Sequence, residues 1–73
     1  MNKQRRISKK TFLAYTKESY VPTVGEHLKN FTIIDYGILY DAVKSSRIVS
    51  VEIISEKIFK VETSNTIYIL ETS

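Results

Sequence analysis

The chain is 73 residues long with a formal net charge of +3, one histidine (His27) and no cysteine. That length admits one domain with a marginal core, because so short a chain buries only about 60% of the surface its unfolded form exposes. Disulfides and cysteine-based zinc sites are excluded, a lone histidine argues against a structural metal, and no apolar run reaches the roughly 20 residues of a membrane-spanning helix.

Charge is unevenly placed. Residues 1–17 carry Lys3, Arg5, Arg6, Lys9, Lys10 and Lys17 and no acid, whereas the remainder is mildly acidic. Residues 1–7 have one apolar residue besides the initiator and no periodicity, so they read as a basic arm, disordered until bound, ahead of a single domain over 8–73. The N-terminus lacks the apolar segment of a signal peptide, which makes the cytoplasm the expected location. Ten Ile, eight Lys and five Tyr against two Ala and one Pro also suggest AT-rich coding.

From Ser8 to Tyr20 the favoured expectation is a short helix, N-capped by Ser8 and carrying Phe12 and Tyr15 on one face. The competing reading is a strand through Phe12-Leu13-Ala14-Tyr15. Val21-Pro22 ends this segment, since the residue before proline is pushed out of the helical region. Thr23-Val24-Gly25-Glu26 fits a capping box for a second short helix, with Val24 and Leu28 inward and Asn30 as its stop. A turn at Gly25 leading straight into a strand is the alternative.

From Phe31 onward the pattern is β. Seventeen of residues 31–73 are Ile, Val or Thr, side chains that suit a pleated surface. Phe31–Tyr36 and Ile38–Val43 flank Gly37, which can supply the positive φ of a turn. In Arg47–Ile54, Val49, Val51 and Ile53 are expected to face inward. Phe59, Val61 and Thr63 continue that face, with Ser55-Glu56-Lys57 as the tight connection. Ser64-Asn65 makes the next turn, Asn tolerating the left-handed region, and Ile67–Glu71 closes the chain. The fold class expected is α+β or mainly β: an antiparallel sheet of four to five strands with a C-terminal β-meander and a short N-terminal helical segment. Either that segment or a curl toward a small SH3-like barrel would cover its apolar face.

Ser45-Ser46-Arg47-Ile48-Val49-Ser50-Val51, followed by Val61-Glu62-Thr63-Ser64-Asn65-Thr66-Ile67-Tyr68-Ile69-Leu70, resembles a pattern in small uncharacterised β-rich proteins of phages and mobile elements. The resemblance covers roughly the last 30 residues, and Ser45 and Thr66 depart from the Thr and Ser usual there. It implies a hairpin in which a hydroxyl bonds the turn backbone and Tyr68 packs across the strands. No functional residue is carried over from it.

No catalytic or metal-binding constellation is legible, and no cofactor is expected. His27 reads as a surface or edge-of-core residue, Asp35 and Asp41 as flanks of the Gly37 turn, and Ser45-Ser46 lacks a glycine elbow or a neighbouring base. Lys3, Arg5, Arg6, Lys9 and Lys10 are the candidates for contact with nucleic acid or an acidic surface. Tyr36 and Tyr40 beside Gly37, and Ile67 and Ile69 on a strand apolar on both faces, are the candidates for protein contact. Together with the resemblance, these features lead to the expectation of a non-enzymatic protein-binding accessory protein of a phage or mobile element, an inhibitor of a host protein being one form. Association through the last strand as a sheet edge, with a second copy or with the target, is a further expectation, and its equal alternative is that an earlier strand of the same chain covers that edge by closing a barrel. The alternative is a small nucleic-acid-binding β domain using its arm, with weak, non-specific affinity.

Overall fold

The computed structural model describes residues 9–73, so the arm over 1–7 and its Lys3, Arg5 and Arg6 lie outside the described residues. Five strands follow one another: β1 (Lys10–Tyr15), β2 (His27–Asp35), β3 (Ile38–Ser55), β4 (Ile58–Thr63) and β5 (Thr66–Glu71). Each pairs antiparallel with the next, and β5 returns to pair with β1, closing a barrel. A meander of five strands alternates direction at every turn, so its first and last strands run the same way. The closing pair is accordingly parallel, with Phe12 beside Tyr68 and Ala14 beside Leu70.

Two expectations are corrected here. No helix occurs among the described residues, and the middle of the predicted Ser8–Tyr20 helix, Lys10–Tyr15, is strand β1. The period is two: Ala14 is buried and Phe12 packs against the core, while Leu13 is exposed. A five-strand sheet with an apolar slot between β2 and β5 outweighs the modest helix propensity of a segment rich in Thr and aromatics. The second predicted helix is also absent. Thr23–Glu26 forms a turn in which the Glu26 amide donates to the Thr23 carbonyl (3.1 Å) and Gly25 takes φ 95°. Val24 is exposed, Leu28 is buried in β2, and Asn30, at φ 53°, bends that strand rather than ending a helix.

The core is built from Ala14, Leu28, Phe31, Ile48, Phe59, Val61, Tyr68 and Leu70. The Phe31 ring meets Tyr68 edge-on at 5.3 Å between centroids, and Phe12 stacks with Tyr68 at 6.4 Å. Phe59, Val61 and Thr63 all face inward as expected. Val49 and Ile53 do not. Register shifts between Ile48 and Ser50 and between Ile53 and Ser55 interrupt the alternation of β3. Val49 falls in the first of them and is half exposed; Ile53 lies opposite buried Phe59, but no strand among the described residues flanks β3 on its other side there, and it is largely exposed.

β3 shapes the molecule. Its 18 residues would extend for about 60 Å at ~3.3 Å each, more than the 47 Å longest dimension. It therefore bends. Residues 38–47 pair with β2 and residues 48–55 pair with β4, so the two halves serve different walls of the barrel. The first half and the distal part of β2 form a hairpin whose two loop residues, Tyr36 and Gly37, have φ 52° and 77°. Positive φ at both positions is the signature of the turn whose twist matches the flanking strands.

Candidate protein-interaction surface

Strand register places one row of side chains across four neighbouring strands. Ile69 of β5 lies beside Leu13 of β1, Leu13 beside Ile34 of β2, and Ile34 beside Leu39 of β3. This row points away from the core, because each residue alternates with an inward-facing neighbour such as Phe12, Ala14, Ile33 or Leu70. Leu13 is 56% and Leu39 58% exposed, and Ile34, Ile67 and Ile69 are half-buried on the same wall. The opposite face of the hairpin is apolar as well: Ile38 and Tyr40 remain about half exposed where the hairpin passes beyond the packed core, and Tyr36 stands at the tip 92% exposed. Exposed apolar side chains thus occupy both faces of the hairpin and the wall beside it.

The expected protein-contact residues thus divide. Tyr36 and Tyr40 are exposed on one hairpin, and Ile69 belongs to the outer row with Ile67 beside it. β5, however, is not an edge: it is paired with β4 on one side and β1 on the other, which corrects the expectation of association through that strand. Sequence reasoning missed Leu13, Ile34 and Leu39. Period-two alternation through residues 12–15 is the signal for Leu13, and the equal spacing of Ile34 and Leu39 from the Tyr36-Gly37 turn is the signal for their pairing.

Of the basic candidates, the two that are described, Lys9 and Lys10, have partners within the fold. Lys9 Nζ donates to Glu62 Oε2 (2.7 Å) and to the Thr63 carbonyl (2.8 Å). Lys10 Nζ lies 4.0 Å from Asp35 Oδ2 and 5.0 Å from the centroid of the Phe12 ring. The hydrogen bonds from Lys9 hold the Glu62 carboxyl below its ordinary pKa, and the Lys9 charge reinforces them.

The polar residues considered for chemistry serve structure. Ser45 Oγ accepts from the Leu28 amide (2.9 Å) and donates to the Ser46 carbonyl (2.6 Å). Asp41 accepts from Thr32 Oγ1 (3.2 Å), and its place opposite Thr32 puts it on the other hairpin face from Asp35. His27 Nδ1 lies 2.8 Å from the Ser45 carbonyl. A carbonyl only accepts, so Nδ1 carries the proton. An open groove of about 610 Å³ runs past His27, lined also by Glu18, Tyr20, Gly25, Glu26, Lys29 and Asn30. The Tyr20 hydroxyl is buried with no hydrogen-bond partner among the described residues, and burial pushes its pKa above the ordinary 10.0. Among the described residues, no three His, Asp or Glu side chains gather in a way that could hold a metal ion.

No family model, curated protein or solved structure matches this chain.

Proposed function

We propose that this chain is a protein-binding accessory module that engages its target through the β2–β3 hairpin and the outer wall beside it. The observation that carries the reading is the outward-facing row Ile69–Leu13–Ile34–Leu39, continued to the tip by Tyr36. Burying such a row against a partner is favourable at about 25 cal/mol per Å² of apolar surface, less the cost of association. Tyr36 and Tyr40 add rings of the kind enriched where binding energy concentrates. The resemblance of the C-terminal hairpin to phage and mobile-element proteins extends the proposal to a host protein as target, with inhibition following from occupation of a surface the host protein needs.

Capture from bacterial lysate by immobilised chain tests this, using Leu13→Lys, Leu39→Lys and Tyr36→Ser against Val24→Lys, an exposed apolar position away from the row. Loss of the captured protein with the first three variants, its retention with Val24→Lys, and indifference to nuclease are the expected results. Capture that nuclease abolishes, and that depends on Lys3, Arg5 and Arg6, would replace this reading with the nucleic-acid one.

A further inference from the structure

The first half of β3 has an edge that nothing among the described residues covers. From Ile38 to Ser46 its β2 side is paired, while its other side meets β4 only from Ile48 onward. The boundary is set by the β4–β5 turn: the Ser64 amide takes the Arg47 carbonyl (3.0 Å) and the Asn65 amide takes Ser46 Oγ (3.3 Å). The second half of β3 also has an open side, but register shifts at Ile48/Ser50 and Ile53/Ser55 break it up, as protective bulges do. Pairing from Ile38 to Ala42 is regular, and residues 38–46 contain no proline, no glycine and only two charges, Asp41 and Lys44. Both flanks are apolar, with Leu39 and Val43 on one face and Ile38 and Tyr40 on the other, each about half exposed or more.

We infer that this edge pairs with the same edge of a second copy of the chain, antiparallel about a two-fold axis at Ala42. The inference stands apart from the proposed function, since it rests on an open backbone edge and not on the outer row. A two-fold normal to the sheet keeps outer face beside outer face, so directly opposite residues must share a face and the axis must pass through one residue. Ala42 is the midpoint of Ile38–Ser46, and an axis there uses the whole edge. It sets Asp41 opposite Val43 and Lys44 opposite Tyr40, leaving no like charges face to face. An axis one residue earlier would set Asp41 against Asp41. Within the chain Lys44 is paired with Lys29, and the ring of Tyr40 from the second copy offers it a favourable neighbour. An edge about 30 Å long at ~3.3 Å per residue gives an interface at the small end of specific ones, so dimerisation is expected to depend on concentration. The axis also brings the two Leu39–Val43 strips side by side, joining two outer walls into one platform.

Light scattering across a dilution series tests the inference. The expected mass is twice 8.4 kDa at high concentration, falling on dilution. Val43→Asp, at a position 77% exposed, would put a carboxylate opposite Asp41 and return a folded monomer of 8.4 kDa. Adding Asp41→Lys to it would place opposite charges there twice over and restore the dimer. In a chain without cysteine, Ala42→Cys should oxidise to a disulfide-linked dimer, because directly opposite Cβ atoms lie within reach of a disulfide, whereas Tyr36→Cys, at the distant tip, should not. A native chain that stays monomeric at its highest soluble concentration overturns the inference. So does a dimer whose mass is the same with folded Val43→Asp.

Discussion

Lys9 and Glu62, 53 residues apart in sequence, are joined by a 2.7 Å ion pair, and the same ammonium donates to the next carbonyl, that of Thr63. The contact fastens the residue ahead of β1 to the end of β4, across the β4–β5 turn. Lys9 thus ties the start of β1 to the end of β4, and Lys10 lies against Phe12 and Asp35, so these two charges of the basic segment have partners within the fold.

The pair makes stability depend on acidity in a defined direction. Glu62 has a lowered pKa in the folded chain, so its contribution is fully present above the ordinary glutamate value of 4.5 and is lost as pH falls through the lower folded value. Thermal melts of the native chain and Glu62→Gln should therefore differ near neutrality and converge below pH 4.5. Both partners are about a third exposed, so the difference should be small and shrink in salt. A gap that is constant with pH would show that the carboxylate charge is not what matters.

Thr63 is the most constrained hydroxyl. It is fully buried, donates to the Thr66 carbonyl (3.0 Å), and accepts from the amides of Thr66 (3.1 Å) and Asn65 (3.4 Å). Thr63→Val keeps the shape but strips the turn of this hydroxyl, so the part-buried Thr66 amide and carbonyl both lose it as a partner, while the Asn65 amide keeps Ser46 Oγ. A loss of about 1–3 kcal/mol is expected, with most of it recovered by Thr63→Ser. Urea titration of the three proteins checks this; equal losses for Val and Ser would assign the effect to packing of the methyl group instead.

How far these features were legible varies with how local their cause is. The Gly37 turn and the inward run Phe59-Val61-Thr63 follow from a left-handed glycine and a period of two. A Ser or Thr hydroxyl on the turn backbone followed from the hairpin pattern, and the side chain proves to be Thr63. Asn65 was expected to be the left-handed residue, yet the positive-φ non-glycine positions are Asn30 and Tyr36. Local sequence cannot show that strain at Tyr36 is tolerated. β1 was misjudged because its partners, Ile34 and Ile69, lie 21 and 56 residues from Leu13 and nothing nearby announces them. The closure that removes β5 as an edge and leaves β3 open has the same non-local origin.

Burial separates apolar residues that look alike in the sequence. Leu70 is fully buried against the other core side chains, and Leu70→Ala should cost about 2–5 kcal/mol, a large share of the stability of so small a domain. Val43→Ala, on the open face of β3, should change stability by less than about 0.5 kcal/mol. Circular dichroism melts decide the matter, and a Val43 loss comparable with that of Leu70 would mean that the face is already covered.

Tyr36 combines a backbone cost with an exposed ring. At φ 52° it occupies the left-handed region, where a side chain costs roughly 1–2 kcal/mol that glycine does not bear. At 92% exposure the ring has little to pack against within the chain, so the fold gains nothing visible in return. Replacing it with glycine relieves the strain but also frees the unfolded chain, and the net result should be a gain of up to about 1 kcal/mol. Under the proposed function the ring at this strained, exposed tip serves contact, and that proposal makes Tyr36 a position where stability and capture should respond in opposite directions. The two effects can be separated. Tyr36→Gly should raise the melting temperature and weaken target capture, while Tyr36→Ala should weaken capture without raising it, since alanine keeps the left-handed penalty. Capture left unchanged by both variants would remove Tyr36 from the contact surface and leave the outer row of Leu13, Ile34 and Leu39 to carry it alone.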